Sequence, residues 1–244
     1  MSADDRQPVL FLFGTLEIGG SETKFVALAK RLLRQGHDVH VAYLRPPDTL
    51  LERLEDVPCI HLGQQGKYSP GALKRLKSYV AHNGIATIVT VNFYPLSYAV
   101  PLKAMSGRNA PNIVASINTT DFVSDRESRF MLLYRALLRR CDRIVFGAKR
   151  QQETWQDRYR LQGVRSDVVY NGVDTDRFNT DAVMSGSVDV RHQLGIPVDA
   201  VVIVSVGQFR PEKAQGDLVR AAAGLPESMK VHVLLVGDGA EREN

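Results

Sequence analysis

Val204-Ser205-Val206-Gly207-Gln208-Phe209-Arg210-Pro211-Glu212-Lys213 reads as the end of an apolar strand, a glycine turn and a loop that carries two cations. Residues Val201 to Val206 are almost all β-branched and apolar, the pattern of a parallel strand covered on both faces. Past Pro211 the chain enters an Ala-rich helical stretch, Gln215 to Ala223. In an open α/β sheet the loop leaving the carboxyl end of a strand is where ligands bind. Arg210 and Lys213, beside a helix N-terminus, suit a phosphate or diphosphate. A solvated turn with two exposed cations is the plainer alternative.

Upstream, the same strand-then-helix rhythm runs from the N-terminus. Val9-Leu10-Phe11-Leu12-Phe13 is a short apolar run, so a first buried strand. The glycine-containing loop Gly14 to Glu22 follows, and then a helix with Phe25, Leu28, Ala29, Leu32 and Leu33 on one face. Ser21 is a candidate N-cap, and Gly36 is placed to end the helix. Val39 to Leu44 reads as the second strand. Helices are expected over Pro70 to His82, Leu96 to Met105, Glu127 to Arg140 and Gln151 to Arg160. Strands are expected over Ile85 to Val91, Asn112 to Ile117, Arg143 to Phe146 and Asp167 to Tyr170. This alternation predicts a doubly wound, Rossmann-like parallel sheet.

From Asn171 to Pro197 the texture becomes polar and turn-rich, as in a linker. A second βαβ starts at Val201 and reaches Val231 to Val236, ending on Gly237-Asp238-Gly239. The expected division is an N-terminal Rossmann-like domain over 1-180, then a linker and an incomplete second Rossmann-like domain over 181-244. With two strands and one clear helix, the second is expected to be cut short.

Composition narrows the function. The formal charge of +4 and pI near 9.1 suit an anionic small molecule or a membrane surface, and are too weak to argue for nucleic acid. Cys59 and Cys141 are the only two cysteines and form no metal-ligand spacing, which points to a reducing compartment. The polar N-terminus is unlike a signal peptide, and no apolar run reaches the roughly 18 residues of a membrane helix. The location expected from this is cytoplasmic, with contact to the inner face of a membrane left open.

Three motifs can be weighed for chemistry. Gly14 and Gly19 have P-loop spacing, but Gly20 stands where the P-loop lysine must be, which argues against nucleoside-triphosphate chemistry. That passage fits either a backbone-amide cradle at a helix N-terminus or an ordinary turn. Asp174-Thr175-Asp176 is a DxD, which in some sugar transferases holds a divalent metal, yet it follows Asn171-Gly172 in the linker and suits a turn better. No histidine spacing suggests a metal, and no GxSxG is present. The Arg126 to Arg143 segment alternates arginines with Phe130, Leu133, Leu137 and Leu138. It fits a solvated amphipathic helix or a docking face for anionic lipid.

Taken together the sequence resembles glycosyltransferase family 4, retaining hexosyltransferase-like enzymes of the two-domain GT-B fold. The matching segments are Gly19-Gly20-Ser21-Glu22, Gly36-His37-Asp38-Val39, Asn171-Gly172-Val173-Asp174 with Phe178, Leu194-Gly195, Gly207 to Lys213, and Leu235-Val236-Gly237-Asp238-Gly239. The resemblance implies a nucleotide-sugar donor held mainly by the second domain and a glycan or lipid-linked acceptor held mainly by the first, with no metal and no cofactor. It also implies that Gly19 and Gly20 face donor phosphates or acceptor, that Lys213 contacts the diphosphate and that Gly237, Asp238 and Gly239 belong to the same site. Gln208 stands where many members have a second diphosphate-binding arginine, and Arg210 is the substitute. Asn118 occupies a position that is often histidine; an amide can hydrogen-bond a sugar hydroxyl but does not titrate near neutral pH. The family's downstream glutamate pair is not in the sequence, so weak or no transfer is expected of these 244 residues by themselves. Other readings are an inactive remnant, an acceptor- or membrane-binding module, and another GT-B nucleotide-sugar enzyme such as an epimerase.

Overall fold

A computed structural model describes residues 7–119, 125–176, 178–179 and 190–243. The chain forms two compact units, Met1–Asn171 and Gly172–Asn244.

The first unit is a seven-stranded, wholly parallel sheet in the order β3-β2-β1-β4-β5-β6-β7. Its strands are β1 (Val9–Phe13), β2 (Val39–Tyr43), β3 (Cys59–His61), β4 (Thr87–Val91), β5 (Asn112–Ile117), β6 (Arg143–Phe146) and β7 (Ser166–Val168). The helices between them are α1 (Gly20–Arg34), α2 (Pro70–His82), α3 (Leu96–Met105), α4 (Asp125–Leu138) and α5 (Lys149–Tyr159). Successive side chains of a strand point to opposite faces, and β1 divides accordingly. Leu10 and Leu12 join a core with Leu76 of α2, Leu102 of α3, Leu138 of α4 and Trp155 of α5. Phe11 and Phe13 join a second core with Phe25, Val26 and Ala29 of α1 and with Leu50 and Leu54. Each large apolar side chain buried this way contributes about 1.5–3 kcal/mol, so both faces are closed by the hydrophobic effect.

Helix ends follow local chemistry. Ser69 caps α2, its Oγ accepting from Ala72 N at 3.3 Å, with Pro70 in the first turn. For α1 the expectation of Ser21 as the cap does not hold. The helix begins at Gly20, and Gly19 is the N-cap, in the extended conformation that position requires (φ −145°, ψ 162°). Its carbonyl already accepts from Thr23 N at 2.9 Å. Pro101 lies inside α3 without ending it.

The second unit holds a short helix α6 (Val190–Gln193), then β8 (Val201–Val206), α7 (Gln215–Ala223) and β9 (Val231–Val236). Strands β8 and β9 pair in parallel, Val201 opposite Val231 through Val206 opposite Val236. The expectation that Val201 to Val206 is covered on both faces is not met. Val201, Val204 and Val206 are exposed, because β8 has β9 as its one neighbour among the described residues.

Candidate functional site

Strand order in the first unit reverses between β1 and β4, whose partners β2 and β5 lie on opposite sides. This is the switch point at which the connecting loops diverge and leave a crevice at the carboxyl ends of the strands. The loop 14–19 leaves β1 there. Asn92 follows β4 in the left-handed conformation, φ 66°, which asparagine tolerates better than most side chains. Its backbone N–H donates to Ser116 O at 3.1 Å, tying the end of β4 to β5.

From these strand ends a chain of polar side chains crosses the crevice. Asn92 Nδ2 donates to Glu22 Oε1 at 3.2 Å, and Asn118 Nδ2 donates to Asn92 Oδ1 at 3.2 Å. Lys24 Nζ, from the second turn of α1, donates to Asn118 Oδ1 at 2.5 Å and to Asn171 Oδ1 at 3.0 Å. Lys24 is half-buried, and its loss of hydration lowers its pKa from the ordinary lysine value. Beside it Gln151 stitches the next two loops, donating to Thr119 O at 2.8 Å and accepting from Gly147 N at 2.9 Å.

The two glycines at the head of α1 differ in their surroundings. A Cβ on Gly19 would lie 2.4 Å from Glu22 Oε2, whereas one on Gly20 would meet nothing within 4 Å. Gly19 offers no side-chain cap, and Glu22 is the acidic residue in the first turn of α1.

In the second unit Arg210 and Lys213 are both exposed, and neither is paired with a carboxylate among the described residues. Lys213 closes a tight turn, Pro211–Lys213, and its aliphatic stem lies back over Gly207. The loops after β8 and β9 clasp each other through Phe209 N to Asp238 O at 2.9 Å and Gly207 N to Val236 O at 2.9 Å. A Cβ on Gly237 would sit 1.9 Å from Gly207 O, and one on Gly239 2.4 Å from Phe209 O. Both glycines also have positive φ, 152° and 155°, so backbone packing alone requires them. Asp238 is engaged locally, accepting from Gly239 N at 2.8 Å and facing Arg242 at 3.4 Å. Gln215 Nε2 holds the turn by donating to Gln208 O at 3.0 Å.

Asn118, Gly19 and Gly20 thus gather in the crevice of the first unit, and Arg210, Lys213, Gly237, Asp238 and Gly239 gather in the loops of the second. Sequence reasoning did not single out Lys24, Asn92 or Glu22 as site residues. A signal was present, since Val91-Asn92 and Ile117-Asn118 each place an asparagine immediately after an apolar strand. Asp174 Oδ1 accepts from Asp176 N at 3.2 Å, an Asx turn of the kind expected for the DxD as a turn. Among the described residues no group of three His, Cys, Asp or Glu side chains could hold a metal ion, and no helix is long and apolar enough to cross a membrane.

Comparison with known proteins bears on the fold and the family. The chain is 37% identical over 86 residues to the D-inositol 3-phosphate glycosyltransferase of Salinispora arenicola, a stretch covering 34% of this chain and 19% of that protein. The Mycolicibacterium smegmatis protein of the same name is 35% identical over 97 residues, 39% of this chain and 20% of the relative. Among solved structures, HepE of Anabaena in complex with UDP and glucose superposes with a TM-score of 0.75 at 20% identity, over 96% of this chain and 62% of that one. Sucrose-phosphate synthase of Thermosynechococcus elongatus superposes with a TM-score of 0.75 at 19% identity, over 98% of this chain and 64% of that one. The chain therefore spans about three fifths of these structures. At such identities the likeness is one of fold, and it bears out the GT-B-like α/β class expected from the sequence. The model of Glycosyltransferase Family 4 matches residues 18–177, which hold α1, the switch-point crevice and Asn171. By that match the chain belongs to glycosyltransferase family 4.

Proposed function

We propose that the protein moves a sugar from a nucleotide-sugar donor to a hydroxyl of a glycan or lipid-linked acceptor, with retention at the anomeric carbon and without a metal or cofactor. The observation that carries this reading is the side-chain chain Glu22–Asn92–Asn118–Lys24–Asn171 at the switch point of a family 4 fold. Amides there can donate to and accept from sugar hydroxyls at once, which suits a polyol and not an apolar ligand. Two relatives lend support: the Salinispora protein is named for D-inositol 3-phosphate, and HepE was solved with UDP-glucose.

In the reaction the bond from the anomeric carbon to the donor phosphate oxygen breaks, and its electron pair leaves on the diphosphate. The acceptor oxygen forms the new glycosidic bond and passes its proton to an oxygen of the departing diphosphate. Arg210 and Lys213, the exposed cations of the loop after β8, are assigned the role of balancing the charge that grows on the diphosphate, a role in which single donors are worth about 10²–10³ in rate. Gly19 and Gly20 leave the N-terminus of α1 open to oxygen atoms of a ligand. Asn118 hydrogen-bonds a sugar hydroxyl, and Gly237, Asp238 and Gly239 hold the loop that carries the cations.

The test is donor turnover by the intact protein that contains this chain, over a panel of nucleotide sugars. Transfer or donor hydrolysis that drops about 10²-fold in Arg210→Ala or Lys213→Ala is expected. No turnover of any donor by the wild-type protein overturns the reading.

The outer face of α4 favours a second, compatible role in membrane contact. Leu132 is 78% exposed and Leu133 is exposed, with Arg139 and Arg140 exposed just beyond the helix. Such a face suits peripheral attachment to an anionic bilayer. Co-sedimentation with vesicles containing phosphatidylglycerol but not with pure phosphatidylcholine, weakened by Leu132→Glu, is the expected result. Equal behaviour on both vesicles refutes it.

A further inference from the structure

Lys24 has a place in the crevice that hydrogen bonding to amides does not explain. Its ammonium has three N–H groups. Two go to the neutral oxygens of Asn118 and Asn171, and the ammonium lies 4.8 Å from the Phe25 ring centroid. No carboxylate pairs with it among the described residues. Glu22, two residues earlier on the same helix, instead accepts from Asn92 at the far end of the chain of side chains. The N-terminus of α1 adds positive potential of the same sign, which Glu22 in its first turn offsets in part. Burial has already cost this lysine hydration, as the lowered pKa reports. A cation held half out of water without a counter-ion is unfavourable. A neutral donor could serve the two amide oxygens without that cost.

We propose that Lys24 is an anion-binding residue, which receives a phosphate or carboxylate group of a substrate seated in the crevice of the first unit. Its third N–H is directed to that group, while Asn92, Asn118 and Asn171 hold neighbouring hydroxyls. The ligand chemistry is therefore a polyhydroxylated anion. Two sources fit: an acidic or phosphorylated acceptor, and the diphosphate of the donor. The identity of the substrate rests on the sugar-transfer reading; the presence of a charge-selective site does not.

The experiment titrates the full 244-residue chain with glucose 6-phosphate, glucose and UDP, followed by calorimetry and by backbone amide shifts. Wild type, Lys24→Met, Lys24→Arg and the surface control Lys74→Met are compared. One charge-assisted hydrogen bond predicts that wild type prefers an anionic ligand over glucose by about 10- to 100-fold. Lys24→Met is expected to erase that preference, Lys24→Arg to restore part of it and Lys74→Met to leave it intact. Without ligand, Lys24→Met is expected to melt no lower than wild type. Loss confined to glucose 6-phosphate identifies the acceptor as the source, and loss confined to UDP identifies the donor. Unchanged anion affinity in Lys24→Met overturns the proposal, as does a lowered melting temperature with no change in anion binding, which would make Lys24 a structural strut. Because these readouts are binding and melting, an absence of sugar transfer would refute the proposed reaction and leave this site standing.

Discussion

Lys24 Nζ lies 2.5 Å from Asn118 Oδ1, joining α1 to the end of β5 across 94 residues of sequence. The contact couples the glycine loop of the first strand to the position at which family resemblance placed a catalytic side chain. It also makes the charge state of one lysine a property of the whole crevice.

That coupling predicts the effect of Asn171→Asp. The new carboxylate stands where Asn171 Oδ1 now accepts from Lys24 at 3.0 Å. An opposite charge favours the ammonium and raises its pKa. Stability is expected to rise by at most about 1 kcal/mol, as for an exposed pair, while anion binding is lost. Urea denaturation and the titration of the Lys24 ε-carbon by NMR check both halves. A destabilised variant that still prefers anions would contradict the geometry.

Gly20 and Gly237 are predicted to respond in opposite ways to alanine. Gly20 has open space where a Cβ would go and sits in the first turn of α1, so Gly20→Ala is expected to stabilise by about 0.5–1 kcal/mol or leave stability unchanged. Any loss of turnover in that variant then reports ligand approach. A Cβ on Gly237 meets Gly207 O at 1.9 Å, and strain of about 1–3 kcal/mol follows from the backbone alone. Hydrogen exchange should show faster opening of β8 and β9 in Gly237→Ala, with β1, β4 and β5 unaffected.

Stability is predicted to fall at alkaline pH. Burial pushes the Cys59 thiol up to about 11 and the Cys141 thiol up to about 12, from 9.0 in each case. Burial and the bond to Asp48 push Tyr43 up to about 12 from 10.0. Above pH 9 the unfolded chain releases protons that the folded chain keeps, so this contribution is complete below pH 9 and declines toward pH 12. Melting temperature against pH checks the sign, and Cys141→Ser should flatten the decline. A melting temperature constant from pH 8 to 11 would contradict it.

Trp155, the chain's single tryptophan, is fully buried and stacks on Phe93 with ring centroids 5.1 Å apart. Its emission therefore follows the first unit. Trp155→Ala is expected to cost about 3–5 kcal/mol. In the wild type, exchange of β8 and β9 amides should precede the fluorescence transition, because those strands are half-exposed while β1 and β2 are buried.

The element plan was legible because periodicity and punctuation are local. Pro70–His82, Leu96–Met105, Asn112–Ile117, Val201–Val206 and Gln215–Ala223 fall where apolar spacing and turn residues put them. Where local rules were ambiguous, as between Gly19 and Ser21 at the head of α1, the reading slipped by two residues.

The amino-acid order by itself determined that this is a parallel α/β chain of family 4 type, with glycines at two strand ends and cations after a third, since each of those features is written in neighbouring residues. The tertiary structure alone decided that Lys24 meets Asn118 and Asn171, and that Gly237 presses on Gly207. The physical reason is strand order. The exchange that sets β1 beside β4 brings residues 94 and 147 positions apart within hydrogen-bond reach, and no periodicity along a chain encodes which side chains converge there.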